Sequence, residues 1–300
     1  MPLTVGLIGL GQMGRGIAAN LDHAGMLRAV WDTTPAAREL SFSQAVTFAG
    51  GRDMAARCDV ILFVVPTSRE IAANLEGDDG LLAAARPRQI LVDLTTSHPS
   101  KTKELIALAR AAGRDYLDCG MTGGAAGADA GTLTLMIGGE RETFERALPV
   151  LESFTKKLFL VGPSCAGHTL KLIHNMILHT IFLATSEGCL MAQKAGIDLA
   201  AVIDVLNAGN ARSFISESRF PKHILSGKYD GRSHVSNLAK DLAMASEFAD
   251  EHGEPAPYTH LTAGLLARAI EAGLADQDFT TLYNHLEGLM RMQISSREMT

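Results

Sequence analysis

Short apolar runs, each closed by glycine or a polar turn, recur through the first half of the chain, and long stretches of helical periodicity fill the second half. The runs at 4–8, 28–31, 60–65, 89–93, 115–118 and 156–161 read as strands, those at 60–65 and 89–93 being the clearest buried ones because their apolar residues are continuous instead of alternating. Segments of helical composition separate them, beginning with 15–21, and that alternation predicts a mostly parallel, doubly wound α/β sheet. Beyond Gly162-Pro163-Ser164 the texture changes. Amphipathic helices are predicted at about 165–195, 199–208, 216–225, 234–252, 256–272 and 279–290, with no further strand. The sequence therefore reads as two domains, 1–163 α/β and 164–300 all helical.

The first strand runs into Gly9-Leu10-Gly11-Gln12-Met13-Gly14, a G-x-G-x-x-G spacing that opens a helix. In such a strand–turn–helix the three glycines allow the tight turn, the approach of a pyrophosphate and close helix packing, and the helix N-terminus favours an anion. These six residues are the expected cofactor loop of a Rossmann domain; a plain strand-to-helix turn with no ligand is the alternative. The second strand ends at Asp32, 18 residues after Gly14. A carboxylate at that place reads ribose hydroxyls and repels a 2′-phosphate, so NAD is expected over NADP. Polar turns close the strands at 60–65 and 89–93, and they place Pro66 and Thr96 along the cofactor, since ligands collect beyond the carboxyl ends of parallel strands. Ser97 is the expected cap of a helix over 100–112, with Pro99 near its start.

Glycine is again dense from Cys119 to Ala128, after the strand at 115–118. Thr122, Gly123 and Gly124 offer a hydroxyl and open backbone amides that suit a small carboxylate; a glycine-rich hairpin without ligand is the other reading. On the first long helix Lys171 and Asn175 lie four apart and so on one face. Two readings of Lys171 stand, a side chain snorkelling to the surface and a proton donor held in a cleft.

Composition narrows the classes. The 27 basic and 33 acidic residues are mixed along the chain and give a net charge of −6, which argues against nucleic-acid or anionic-membrane surfaces. The four cysteines form no C-x-x-C pair, and no basic leader precedes the first strand, so a reduced, cytoplasmic setting is expected. Ten histidines show no metal-ligand spacing, and no metal is expected.

Several of these segments together resemble the β-hydroxyacid dehydrogenases of the 3-hydroxyisobutyrate dehydrogenase group, relatives of tartronate semialdehyde reductase and, more distantly, of 6-phosphogluconate dehydrogenase. Gly9–Gly14 with Ala19-Asn20-Leu21, Gly131–Met136 with Gly138-Gly139, Gly167-x-x-x-Lys171-x-x-x-Asn175, and Lys240-Asp241-Leu242 all match family segments, and the likeness spans almost the whole chain. It implies an all-helical second domain of the 6-phosphogluconate-dehydrogenase type, Lys171 as catalytic acid/base with Asn175 beside it, and Lys240 near the cofactor; the helical surfaces of 164–300, rich in Ala, Leu and Met, separately imply that protomers associate, as a homodimer or homotetramer. The active site is then expected in a cleft between the domains. The substrate loop departs from the family's D-A-P-V-S-G-G, reading Asp118-Cys119-Gly120-Met121-Thr122-Gly123-Gly124, so no particular substrate transfers. His174 stands where many members have asparagine, and Arg212 is either a second-carboxylate clamp or a surface arginine. The expected reaction is hydride transfer between NAD(H) and a small β-hydroxyacid or its semialdehyde. The rivals are an NADPH-dependent semialdehyde or imine reductase and an inactive nucleotide-binding protein.

Overall fold

The structure is a computed structural model that describes residues 3–43, 46–84 and 86–298, so the lead-in at Met1 and Pro2 lies outside the described residues. The chain divides into two compact units, Met1–Lys171 and Leu172–Thr300.

In the first unit the order is β1 (Val5–Ile8), α1 (Gln12–His23), β2 (Leu27–Trp31), β3 (Thr47–Phe48), α2 (Gly51–Arg57), β4 (Val60–Phe63), α3 (Ser68–Leu75), β5 (Ile90–Asp93), α4 (Pro99–Ala111), β6 (Asp115–Thr122), α5 (Gly124–Asp129), β7 (Leu133–Gly138), α6 (Arg141–Glu152) and β8 (Thr155–Gly162). The eight strands form one sheet in the order β3-β2-β1-β4-β5-β6-β7-β8, parallel throughout except for the antiparallel pair β6–β7. β1, β4 and β5 are buried at every position, as parallel strands covered on both faces must be. Successive residues feed two cores: Val60 and Leu62 point into one, Ile61 and Phe63 into the other. At the sheet's edge β8 exposes alternate positions, including Phe159 and Val161, and carries Lys156 and Lys157, charges that discourage edge-to-edge pairing.

Four local expectations are corrected. α1 starts at Gln12, inside the glycine motif and earlier than 15, because Gly9 at φ +100° completes the turn at once. β4 stops at Phe63 and not at 65: the chain leaves the sheet at Val64, whose carbonyl oxygen walls the loop only 2.2 Å from where a Cβ on Gly9 would stand. β6 continues to Thr122, so Cys119–Thr122 is strand and not loop, paired from Asp118↔Gly138 to Thr122↔Thr134. His98, not Ser97, caps α4: Pro99 takes the first helical position, which puts the cap at 98, and His98 Nδ1 accepts from the Ser100 amide at 3.3 Å. The Ser97 hydroxyl is buried without a hydrogen-bond partner among the described residues.

The boundary between the units falls within α7 (Ala166–Lys194). The second unit continues with α8 (Leu199–Ala208), a π-helical segment (Ile215–Leu225), α9 (Val235–Glu251), α10 (Pro257–Glu271), a single 3₁₀ turn (Phe279–Thr281) and α11 (Leu282–Glu298). Pro221 lies inside the π-helical segment and removes a backbone donor, which disfavours regular α-hydrogen bonding where an ordinary helix is expected. The core is apolar and aromatic, with Phe182 edge-on to Phe279 at 5.3 Å and Phe220 to Tyr283 at 5.4 Å. No strand occurs here among the described residues, only the isolated bridge between His234 and Asp278. None of the described helices is long and apolar enough to cross a membrane.

Candidate active site

The glycine loop is built for close approach. A Cβ on Gly14 would stand 1.8 Å from the Gly9 carbonyl oxygen, whereas a Cβ on Gly11 would meet nothing within 4 Å. Gly9 and Gly14 thus close the turn, and Gly11 keeps one side of it open. Gly11 is also the N-cap of α1 and supplies no side-chain cap, so the positive end of that helix faces an open position. Leu10 donates its amide to Asp32 Oδ2 at 2.6 Å, and Thr34 donates to Asp32 Oδ1 at 2.7 Å. Burial raises the Asp32 carboxyl, but these amide bonds outweigh it and hold the group below its ordinary value of 3.8. An ionised carboxylate therefore stands at the end of β2, each oxygen with lone-pair capacity to spare for a hydroxyl. These residues fit a dinucleotide. Gln12 opens α1, and Met13 packs against the core beneath it. Pro66 is exposed in the turn after β4, just ahead of Thr67, whose hydroxyl and partner Glu70 form a capping box on α3. Thr96 is half-buried in the turn after β5.

A second glycine system seats α7 against the sheet. A Cβ on Gly167 would lie 2.3 Å from the Asp118 carbonyl oxygen, one on Gly138 would lie 2.7 Å from the Gly167 nitrogen, and one on Gly120 would lie 2.5 Å from the Lys171 Cβ. Four helical residues advance about 6 Å and two strand residues about 6.6 Å. The step from Gly167 to Lys171 therefore keeps pace with the step from Asp118 to Gly120. Asp118, Gly120 and Thr122 share one face of β6, since side chains alternate along a strand. The fully buried Asp118 carboxylate accepts the Cys165 amide at 2.7 Å through Oδ1 and the His168 amide at 2.9 Å through Oδ2, capping α7 from the sheet. Along one strand face stand an anchor for the helix, a seat for the lysine stem, and the Thr122 hydroxyl. Gly123 and Gly124 follow at φ +122° and +63°, conformations that favour glycine, and both are exposed.

Asn175, one turn beyond Lys171 on α7, is buried and donates from Nδ2 to Asp241 Oδ2 at 2.6 Å. Lys240 Nζ lies 3.4 Å from the other oxygen of Asp241. His174 Nδ1 is 3.1 Å from Asn175 Oδ1. The K-D-L segment and the α7 asparagine are thus brought together. Arg212 stands on the surface 3.6 Å from Glu217, with 63% of its side chain exposed. Sequence reasoning assigned no role to Asp118, Asp93 or His168; the signal for Asp118 was its period-two relation to Gly120 and Thr122.

Residues 4–162 match the family model described as the NAD binding domain of 6-phosphogluconate dehydrogenase, and residues 165–286 match the one described as NAD-binding of NADP-dependent 3-hydroxyisobutyrate dehydrogenase. The chain belongs to the 3-hydroxyisobutyrate dehydrogenase family. It is 32% identical to a 2-hydroxy-3-oxopropionate reductase of Escherichia coli, over 95% of this chain and 97% of that one. It is 30% identical to an NAD-dependent L-serine dehydrogenase of Pseudomonas aeruginosa, over 93% and 96%. A solved structure of Mycobacterium tuberculosis 3-hydroxyisobutyrate dehydrogenase with L-serine superposes with a TM-score of 0.85 at 30% identity, covering 95% of this chain and 99% of that one. Membership makes the protein an NAD(P)-dependent dehydrogenase of β-hydroxyacids, acting on a CH–OH group.

Proposed function

We propose that this 3-hydroxyisobutyrate dehydrogenase family member interconverts a small β-hydroxyacid and its semialdehyde with NAD(H), using Lys171 as the general acid/base. The observation that carries the reading is the seat of Lys171: Gly120 admits its stem against β6, on the strand face that ends in Thr122. The bound nicotinamide supplies hydride transfer. Lys171 accepts the substrate hydroxyl proton in oxidation and returns it to the forming alkoxide in reduction. Thr122 and the amides of Gly123 and Gly124 hold the substrate carboxylate, and Asn175, oriented by Asp241, holds the hydroxyl or carboxylate. Gly9, Leu10, Gly11, Gln12, Met13 and Gly14 hold the pyrophosphate, and Asp32 the adenosine ribose. Pro66, Thr96 and Lys240 line the rest of the cofactor. The names of the relatives direct the choice of substrates to test: L-serine, 3-hydroxyisobutyrate and 2-hydroxy-3-oxopropionate.

Asp32 supports NAD over NADP, because its carboxylate occupies the neighbourhood a 2′-phosphate needs, and Thr33-Thr34 offers no positive charge. The test is the small-hydroxyacid panel run with NAD and NADP in parallel. Higher kcat/KM with NAD, and a narrower gap in Asp32→Ser, are expected; a higher kcat/KM with NADP contradicts the assignment. We also propose a homodimer or homotetramer built through 164–300, since Ile177, Met191, Val205 and Tyr258 expose large apolar surface on the isolated chain. Light scattering that finds a monomer at micromolar concentration contradicts it.

A further inference from the structure

His168 lies three residues before Lys171, is fully buried, and takes no part in the chemistry proposed above. Its ring joins three elements. Nδ1 is 2.7 Å from the hydroxyl of Thr102 on α4, and Nε2 is 3.3 Å from the carbonyl oxygen of Asp93 at the end of β5 and 3.8 Å from its Oδ1. Its backbone amide is the one held by Asp118. Asp93 is equally buried, and donors surround its carboxyl: the Thr95 amide on Oδ1 at 2.9 Å and the Tyr116 hydroxyl of β6 on Oδ2 at 2.9 Å.

The Asp93 carbonyl oxygen can only accept, so Nε2 donates toward Asp93, and Nδ1 meets the Thr102 hydroxyl, which also lies 3.2 Å from the His98 carbonyl oxygen. Burial raises the Asp93 carboxyl, and the nearness of His168 is the largest influence opposing that rise. Asp93 also sets the turn that leads to Thr96, through its bond to the Thr95 amide. One imidazole therefore links the turn expected beside the cofactor to the first turns of the helix that carries Lys171.

We propose that His168 is a positioning residue for Lys171, a brace from Asp93 and Thr102 to α7 that fixes where the lysine stands over β6. The proposal rests on the reading of Lys171 as the acid/base. A brace of this kind acts only through the lysine it places, whereas a residue that merely stabilises the fold affects any residual activity equally. That difference is measurable.

The test is a double-mutant cycle on kcat with whichever hydroxyacid the full-length protein turns over, combining His168→Phe with Lys171→Ala. Phenylalanine fills the ring's space and removes both nitrogens. We expect His168→Phe to lower kcat about 10–100-fold when Lys171 is present and less than about threefold in the Lys171→Ala protein, because residues acting as one unit are non-additive. His168→Gln, which keeps a donor toward Asp93, should recover part of the loss. If His168→Phe does not fold, Thr102→Val replaces it, with an expected fall of about 3–10-fold that again disappears without Lys171. Equal losses in both backgrounds, or no loss with Lys171 intact, overturn the brace and leave the acid/base reading standing. Near-normal kcat in Lys171→Ala alone overturns the acid/base reading and the brace with it.

Discussion

α1 and α7 both begin against glycine, and their N-termini are treated in opposite ways. α1 starts at Gly11, which supplies no side-chain cap, and a Cβ there would meet open space. α7 starts against three glycines that bring it onto the sheet, and the buried Asp118 carboxylate already accepts the amide of Cys165, just before the helix, and that of His168 in its first turn. Both ends carry the partial positive charge of a helix N-terminus. At α1 that charge is left open, and we propose that the cofactor's pyrophosphate meets it. At α7 an internal anion satisfies it, and the gain is position: Lys171 is held one turn further on. Glycine density by itself therefore does not mark a ligand site. What distinguishes α1 is an uncapped helix end at a glycine with open space beside it; α2 is uncapped at Gly50 too, but Trp31 and Asp79 close that end.

Changing the glycines breaks this contrast most severely. A methyl group on Gly14 has only the Gly9 backbone to push against, so Gly14→Ala should abolish cofactor binding in a direct NAD titration and lower the unfolding midpoint as well. Gly11→Ala sharpens the point, since its methyl enters open space: stability should stay within about 0.5 kcal/mol while NAD affinity falls. Wild-type affinity in Gly11→Ala, or a collapse of its stability, contradicts the assignment of that opening to phosphate. Asp118→Ala attacks the other helix. It leaves the amides of Cys165, just before α7, and of His168 within it without their acceptor and should cost about 2–4 kcal/mol in urea unfolding. Its kcat should drop much more than its affinity for NAD. If NAD affinity drops as far as kcat, Asp118 supports the whole sheet and not the seat of the lysine.

The mostly parallel sheet and the helical second half were legible because their patterns are long and redundant, whereas the strand order and the antiparallel β6–β7 pair were not. Continuous apolar runs such as Val60-Ile61-Leu62-Phe63 announce buried parallel strands, and the glycine motif set between a strand and a helix announces a dinucleotide-binding domain. The end of β6 was hidden because Gly120, Gly123 and Gly124 look alike in sequence, although Gly120 is a strand residue that makes room for Lys171 and the other two turn the chain. The cap of α4 was misassigned by one residue because histidine is an uncommon cap, and only the position of Pro99 decides between Ser97 and His98. Asp93 and His168 could not be joined from sequence, since 75 residues separate them and no periodicity links a strand end to a helix start. The likeness to a family raised Lys171 above its snorkelling alternative; the spacing to Asn175 alone did not.

The central claim is that the α1 end binds the cofactor while the α7 end carries the proton transfer, so the two must separate in one protein. Lys171→Ala should keep the NAD dissociation constant of the parent within about threefold, measured by titration, while kcat falls about 10²–10⁴-fold and the limb of the pH–rate profile that belongs to the lysine disappears. Unchanged kcat with the limb intact would contradict the account, make Lys171 structural, and pass the question to His174.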